Sequence, residues 1–152
     1  MKKHIKFDYN KITPYIYLGT NSCCVMHFKD ELLKKGIKGD ISLEEERIDN
    51  PIGVDYFLWL PTKDHYPPSL KQLLVGVQTI DSLVKQKIKI YIHCKNGHGR
   101  APTMLAAYFI YKGDKVEIAI EKVAKKRQEI HLWPSQIKQL QKFKKYIKVR
   151  KH

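Results

Sequence analysis

His93-Cys94-Lys95-Asn96-Gly97-His98-Gly99-Arg100 is the stretch that decides how this 152-residue chain folds. Just upstream, Ile88-Lys89-Ile90-Tyr91-Ile92 alternates β-branched and polar residues as a buried strand does. Downstream, Ala101 to Tyr111 is an apolar run with proline in its first turn, where a missing N–H does no harm, and it predicts a helix. The motif therefore sits on a strand, loop, helix junction. Such a loop can curl its amide N–H groups around an oxyanion while the helix dipole adds positive potential on the axis. Gly97 and Gly99 permit the backbone angles this needs. Lys95, Asn96, Gly97, His98, Gly99 and Arg100 are accordingly the candidate anion-binding residues. The same field favours the thiolate of Cys94, and the planar fork of Arg100 can take two phosphoryl oxygens at once. The stretch reads as a phosphate trap with a nucleophile at its floor.

A second chemical element precedes it. Val54-Asp55-Tyr56-Phe57-Leu58-Trp59-Leu60 reads as a strand, and Pro61-Thr62-Lys63-Asp64-His65-Tyr66-Pro67-Pro68 as a stiff loop after it. Asp64 lies 30 residues before Cys94 and is the aspartate that this proline-bracketed loop carries. As an acid it would protonate a leaving oxygen while Cys94 attacks phosphorus. As a carboxylate it would then take a proton from the water that hydrolyses the thiophosphate. The bland alternative is a solvated loop aspartate.

A His-Cys pair, five residues and an arginine resemble the signature of the cysteine-dependent protein tyrosine phosphatase superfamily, in its small dual-specificity branch. The resemblance implies Cys94 as nucleophile, Arg100 as phosphoryl clamp and Asp64 as general acid, with no cofactor and no metal. In the family's geometry Lys95 and His98 stand on the loop rim, where they touch substrate or are simply solvated. His93, Ala101 and Thr103 lie behind the reacting atoms, His93 facing inward beside the nucleophile and shaping the loop. One position departs from the family: Ala101 stands where the branch has Ser or Thr, whose hydroxyl stabilises the departing thiolate. A hydrogen bond to a charged group is worth about 1.5 to 3 kcal/mol, so its loss slows that step roughly 10- to 100-fold without abolishing it.

Within the branch the chain is most similar to the lipid-directed subgroup that includes mitochondrial phosphatidylglycerophosphate phosphatase. The likeness is carried by His93-Cys94-Lys95 with Gly97, by Thr103-Met104 with Ala106-Ala107-Tyr108, by Leu73 with Gly76-Val77-Gln78, and by Arg127 with Ile130-His131 and Pro134. Glu44-Glu45 match that subgroup's acidic loop, whereas Glu46-Arg47 depart from it. This implies an anionic phospholipid headgroup or a phosphorylated protein as substrate.

The rest of the sequence fits one α/β domain over residues 1–152, a central, mostly parallel sheet flanked by helices on both faces, with a helical C-terminal part. Thr13 to Gly19 resembles the entry strand and turn of dual-specificity phosphatases and Gly36 to Leu43 a further strand, reached through a helix from about Cys24 to Lys35. Ser69-Leu70-Lys71-Gln72 is a capping box that opens a long helix, with Leu70, Leu73, Leu74, Val77, Ile80 and Val84 on one face. Two more helices follow, about Val116 to Gln128 and Ser135 to Lys148, the latter turning Ile137, Leu140, Phe143 and Ile147 inward.

Three cysteines without paired spacing point to a reducing compartment, and adjacent Cys23-Cys24 fit neither a mutual disulfide nor a zinc pattern. The start lacks an apolar signal core and the longest apolar run is too short to span a bilayer, so a cytoplasmic monomer is expected. Net charge is +14, of which the segment from Lys115 onward supplies +9 with 12 Lys/Arg against 3 Glu. Such a surface suits peripheral contact with an anionic membrane, or is merely a solvated helix face. Nucleic acid fits less well, because no aromatic stacking platform interleaves with Lys138, Lys142 and Lys145. Two other functions remain compatible with these residues: an RNA 5′-triphosphatase, and a phosphate-binding pseudophosphatase for which Ala101 is the support.

Overall fold

The computed structural model describes residues 7–21 and 28–150. Its strands are β1 (Tyr9–Thr13), β2 (Ile16–Thr20), β3 (Ile37–Glu44), β4 (Tyr56–Thr62) and β5 (Lys89–Cys94), side by side in the order β1-β2-β5-β3-β4. β1 pairs antiparallel with β2, and every other pairing is parallel. The long helices are α1 (Leu70–Lys85), α2 (Arg100–Tyr111), α3 (Val116–Lys126) and α4 (Pro134–Arg150). β5 is the middle strand, so the phosphate loop emerges at the carboxyl end of a parallel sheet, where open α/β sheets bind ligands.

Strand periodicity sorts the two faces. Ile90, Ile92 and Cys94 join Ile16, Leu18, Ile41 and Leu43 in one core with Leu73, Val77, Met104, Ala119, Leu140 and Phe143 of the four long helices. Tyr91 and its neighbours Tyr17 and Ile37 pack on the other side against Leu32. Helices thus lie on both faces, but unequally. Among the described residues the second face carries two short turns, Phe28–Leu32 and Leu33–Lys35, the latter closed by Gly36 at φ 85° with its N–H on the Leu33 carbonyl at 3.0 Å. The helix expected from about Cys24 falls partly outside the described residues, as do Cys23 and Cys24, and within them it is no more than these turns.

β1 was not anticipated from the sequence. Its five residues bury only Ile12, so no alternation marks it. A hairpin makes it a strand: Thr13 Oγ1 accepts the N–H of Tyr15 at 3.2 Å and of Ile16 at 3.1 Å, turning the chain at Pro14. α1 starts as expected, with the Ser69 hydroxyl accepting the Gln72 N–H at 3.0 Å and Gln72 Oε1 accepting the Ser69 N–H at 2.9 Å. Its buried stripe is Leu73, Val77, Ile80 and Leu83, while Leu70, Leu74 and Val84 flank it half-buried. On α4 it is Gln136 rather than Ile137 that is buried. No helix among the described residues is long and apolar enough to cross a membrane.

Because the Ser69 cap is exposed and its loss touches no packing, Ser69→Ala should lower stability by about 1 kcal/mol. Thermal unfolding should then shift down by roughly 2–4 °C, and an unchanged midpoint would mean that the cap adds nothing.

Candidate active site

The phosphate loop is held from beneath. Gly97 sits at φ 67°, and a Cβ there would lie 2.7 Å from the Gly19 carbonyl and 2.9 Å from Arg127 Nη2, so both angle and space demand glycine. Arg127 is buried. Its Nε donates to the Gly97 carbonyl at 2.9 Å and Nη2 to the Asn96 carbonyl at 3.3 Å, while Nη1 reaches Asn10 Oδ1 at 2.8 Å and Asp8 Oδ2 at 3.3 Å. Two loop carbonyls are thereby turned inward. The main-chain N–H groups of residues 96–99 donate to no acceptor among the described residues. Thr103 tightens the helix start, its hydroxyl donating to the Gly99 carbonyl at 2.7 Å.

Arg100 has five N–H donors, and the structure accounts for three. Nη1 donates to Glu46 Oε1 at 2.6 Å and to the Thr62 carbonyl at 2.8 Å, and Nη2 to Glu46 Oε2 at 3.1 Å. Nε is buried without a partner. The Nε–H and the second Nη2–H lie on one edge of the guanidinium, a fork matched to two oxygens of a phosphoryl group. Burial disfavours the charged guanidinium, but Glu46 and Cys94 outweigh it and hold it more firmly protonated than usual. Glu46, a departure from the subgroup's pattern in sequence, is thus the carboxylate that orients the clamp. Glu44 instead turns away to accept from Asn21 Nδ2 at 2.7 Å.

Asp64 occupies the second position of a turn closed by the Tyr66 N–H on the Lys63 carbonyl at 3.0 Å. His65 follows at φ 70°, the type II geometry that usually takes glycine, and such strain costs of order 1–3 kcal/mol. The carboxylate is half-exposed, with Oδ1 accepting the His65 N–H at 3.0 Å and standing 3.6 Å from Arg100 Nη2.

His93 is enclosed on the opposite face of β5. Its ring stacks on Tyr91 with centroids 5.3 Å apart, and Nε2 lies 2.9 Å from Asp40 Oδ1 and 2.5 Å from Asp49 Oδ2. Burial pulls its pKa down, but the two carboxylates overcome that and push it up to about 10. Burial raises the Asp40 pKa despite His93, whereas at Asp49 the pairing with His93 outweighs burial and lowers it. His93 is therefore held toward its protonated form by two aspartates that no local sequence pattern singles out.

Cys94, Asp64, Asn96, His98, Gly99 and Arg100 line one cavity of about 150 Å³. The side chain of Lys95 is exposed and does not line it, and Gly97 is buried against Gly19 and Arg127 beneath it. Ala101 is fully buried in the helical core directly behind the loop. His65, His131, Trp133 and Gln136 complete the wall. No sequence motif assigns these four to the site. His131 was visible only as a position shared with the lipid-directed subgroup, and Trp133 and Gln136 come from a segment with no signal beyond the proline that starts α4.

The family model described as "Polymorphic toxin system, DSP-PTPase phosphatase" matches residues 20–114. With the loop, clamp and sheet in this arrangement, the chain belongs to the dual-specificity type of the cysteine-dependent protein tyrosine phosphatase family. Mouse "Phosphatidylglycerophosphatase and protein-tyrosine phosphatase 1" is 40% identical over 84 residues, 55% of this chain and 44% of that protein. "Phosphatidylglycerophosphate phosphatase PTPMT2" of Arabidopsis thaliana is 30% identical over 145 residues, 89% of this chain and 62% of that protein. The chain thus spans less than two thirds of either curated relative. The crystal structure of PTPMT1 superposes with a TM-score of 0.83 at 32% identity, covering 94% of this chain and 98% of that one. PTPMT1 in complex with PI(5)P gives a TM-score of 0.82 at 29% identity, over 95% and 99% of the two chains.

The raised pKa of His93 has a consequence for stability. Below its unfolded value of 6.5 both states are protonated and the stabilisation is complete; it declines as pH rises and is lost through the folded value of about 10. Thermal midpoints should therefore fall by several degrees between pH 7 and pH 10. Asp49→Asn, which removes one of the two charges holding the proton, should be less stable at pH 7 and show a shallower decline. Parallel curves for the two proteins would show that His93 is not held protonated.

Proposed function

We propose that the protein hydrolyses phosphate monoesters through a Cys94 phosphocysteine, with an anionic phospholipid headgroup as substrate. What carries this reading is that Cys94, the free edge of Arg100 and Asp64 line the same small cavity. The Cys94 thiolate attacks phosphorus, forming an S–P bond as the P–O bond to the leaving group breaks, and Asp64 gives its proton to the leaving oxygen. The loop amides and the Nε–H and Nη2–H of Arg100 take the charge on the equatorial oxygens. Water, giving its proton to the Asp64 carboxylate, then attacks phosphorus and releases the thiolate and inorganic phosphate.

The lipid substrate is supported by the names of the relatives, two of which are phosphatidylglycerophosphate phosphatases, and by the phosphoinositide in the PTPMT1 complex. The cavity is small enough that it admits little more than the phosphate group, leaving the headgroup to the rim. On α4, Lys144, Lys145 and Lys148 border an apolar depression of about 310 Å³ with Val116 and Gln141, a surface suited to peripheral contact with an anionic membrane. We place the protein in the cytoplasm as a monomer, where a reducing medium keeps Cys94 a thiol.

A panel of phosphatidylglycerophosphate, phosphoinositides, phosphotyrosine and phosphoserine peptides and 5′-triphosphate RNA tests the substrate class. The highest kcat/KM should fall on a phospholipid, and a preference for peptide or RNA overturns that choice. Cys94→Ser should abolish turnover while vanadate still binds, because the amide cradle and Arg100 persist; residual activity above about a tenth of wild type refutes the covalent route.

The absent hydroxyl at Ala101 makes thiolate departure slow. Rapid mixing should show a burst of product near one equivalent per enzyme before a slow steady state. Ala101→Ser should raise the steady rate by up to roughly tenfold and leave the burst rate unchanged. Linear progress curves, with no gain from serine, would mean that thiolate departure is not limiting.

A further inference from the structure

The turn that carries Asp64 is fastened to the start of α4 at four points. Ser135 Oγ donates to the His65 carbonyl at 3.3 Å, Gln136 Nε2 to the Tyr66 carbonyl at 3.2 Å, and Gln139 Nε2 to the Pro68 carbonyl at 2.9 Å. The indole of Trp133 lies 4.6 Å from the His65 imidazole, tilted by 48°. All four side chains come from one short segment, and the three carbonyls it holds lie 70 or 71 residues before their donors. Gln136 reaches both halves of the site. It is fully buried, its Oε1 accepts the Trp133 N–H at 2.9 Å, and a Cβ on Gly99 would lie 3.0 Å from that same oxygen.

These contacts have a specific target. Asp64 is half-exposed, and its distance to Arg100 Nη2, 3.6 Å, is too long for a hydrogen bond to fix it. The turn is held in a left-handed conformation at a histidine, which a free loop would relax. The contacts from Trp133 and the start of α4 oppose that relaxation. We propose that Trp133, Ser135, Gln136 and Gln139 form a strap that holds Asp64 at the mouth of the phosphate cavity, and that they are positioning residues for its proton transfer. The proposal rests on Asp64 being the general acid. The acid is then in place before substrate arrives, and the proton passes from its carboxyl to the leaving oxygen as the P–O bond breaks.

The test compares wild type, Asp64→Asn and the combined variant Trp133→Ala, Ser135→Ala, Gln139→Ala on two substrates. Para-nitrophenyl phosphate has a leaving group that needs little protonation, and an alkyl phosphate has one that needs it. The triple substitution leaves Cys94, Arg100, Asp64 and the buried Gln136 untouched. Trp133→Ala alone, at a residue that is 39% exposed, gives the same comparison if the triple variant does not fold. Loss of the strap should lower kcat on the alkyl phosphate about tenfold or more, and on para-nitrophenyl phosphate less than about threefold, with KM within about twofold on both. The high-pH fall in rate should flatten toward that of Asp64→Asn, and Trp133→Phe, which keeps a ring against His65, should restore most of the loss. If Asp64→Asn distinguishes the two substrates while the strap variants lose both equally or lose neither, the strap proposal is wrong and the acid assignment stands. If Asp64→Asn itself does not distinguish them, the acid assignment falls and the strap with it.

Discussion

The guanidinium of Arg127 beneath the phosphate loop is the interaction on which the rest of the site depends. A tight loop with amides converging on one point must send its carbonyls the other way, and buried carbonyls need donors. Arg127 supplies them to Asn96 and Gly97, and its Nη1 runs on to Asn10 and Asp8 at the sheet's antiparallel edge. One side chain thereby joins the loop, β1 and the end of α3. A lysine could not replace it, because a single ammonium cannot span two carbonyls and two side-chain acceptors in fixed directions.

Around this anchor the site is organised by ion pairs of unequal purpose. Glu46 holds the guanidinium of Arg100 by its outer end, leaving the inner edge free. Asp40 and Asp49 enclose His93 on the far face of the sheet, so that the charge of a buried imidazolium is met by carboxylates rather than by water. Glu46 and Asp49 lie on the same connection between β3 and β4, so that one acidic segment is tied both to the clamp and to the histidine beside the nucleophile. A loop designed to receive an anion carries cations that must be balanced when no anion is bound.

The strand, loop and helix around Cys94 were legible because they are local. Alternation in Ile88 to Ile92, the glycine pair and the proline in the first helical turn each follow from neighbours within a few residues. The capping box at Ser69 is visible for the same reason. β1 was not, since Tyr9 to Thr13 gain their strand character from pairing with β2 and bury only Ile12. Periodicity ranks residues by apolarity and so points to Ile137 rather than Gln136. The structure instead buries the amide, whose donor and acceptor both find partners.

The sequence by itself determined the chemistry available here: a thiol, a guanidinium at fixed spacing from it, glycines that let the loop turn, and a carboxylate in a proline-stiffened loop. Only the tertiary structure decided how those groups are held. Glu46 is 54 residues from Arg100 and the loop carbonyls are about 30 from Arg127, and no local pattern can announce which of many acidic or basic side chains will meet. That choice is made by the sheet order, which places β5 between β2 and β3 and so brings β1, the β3 to β4 connection and the start of α4 around one strand end. Reactive groups are written in residue types, but their orientation is a long-range property, set by which strands become neighbours.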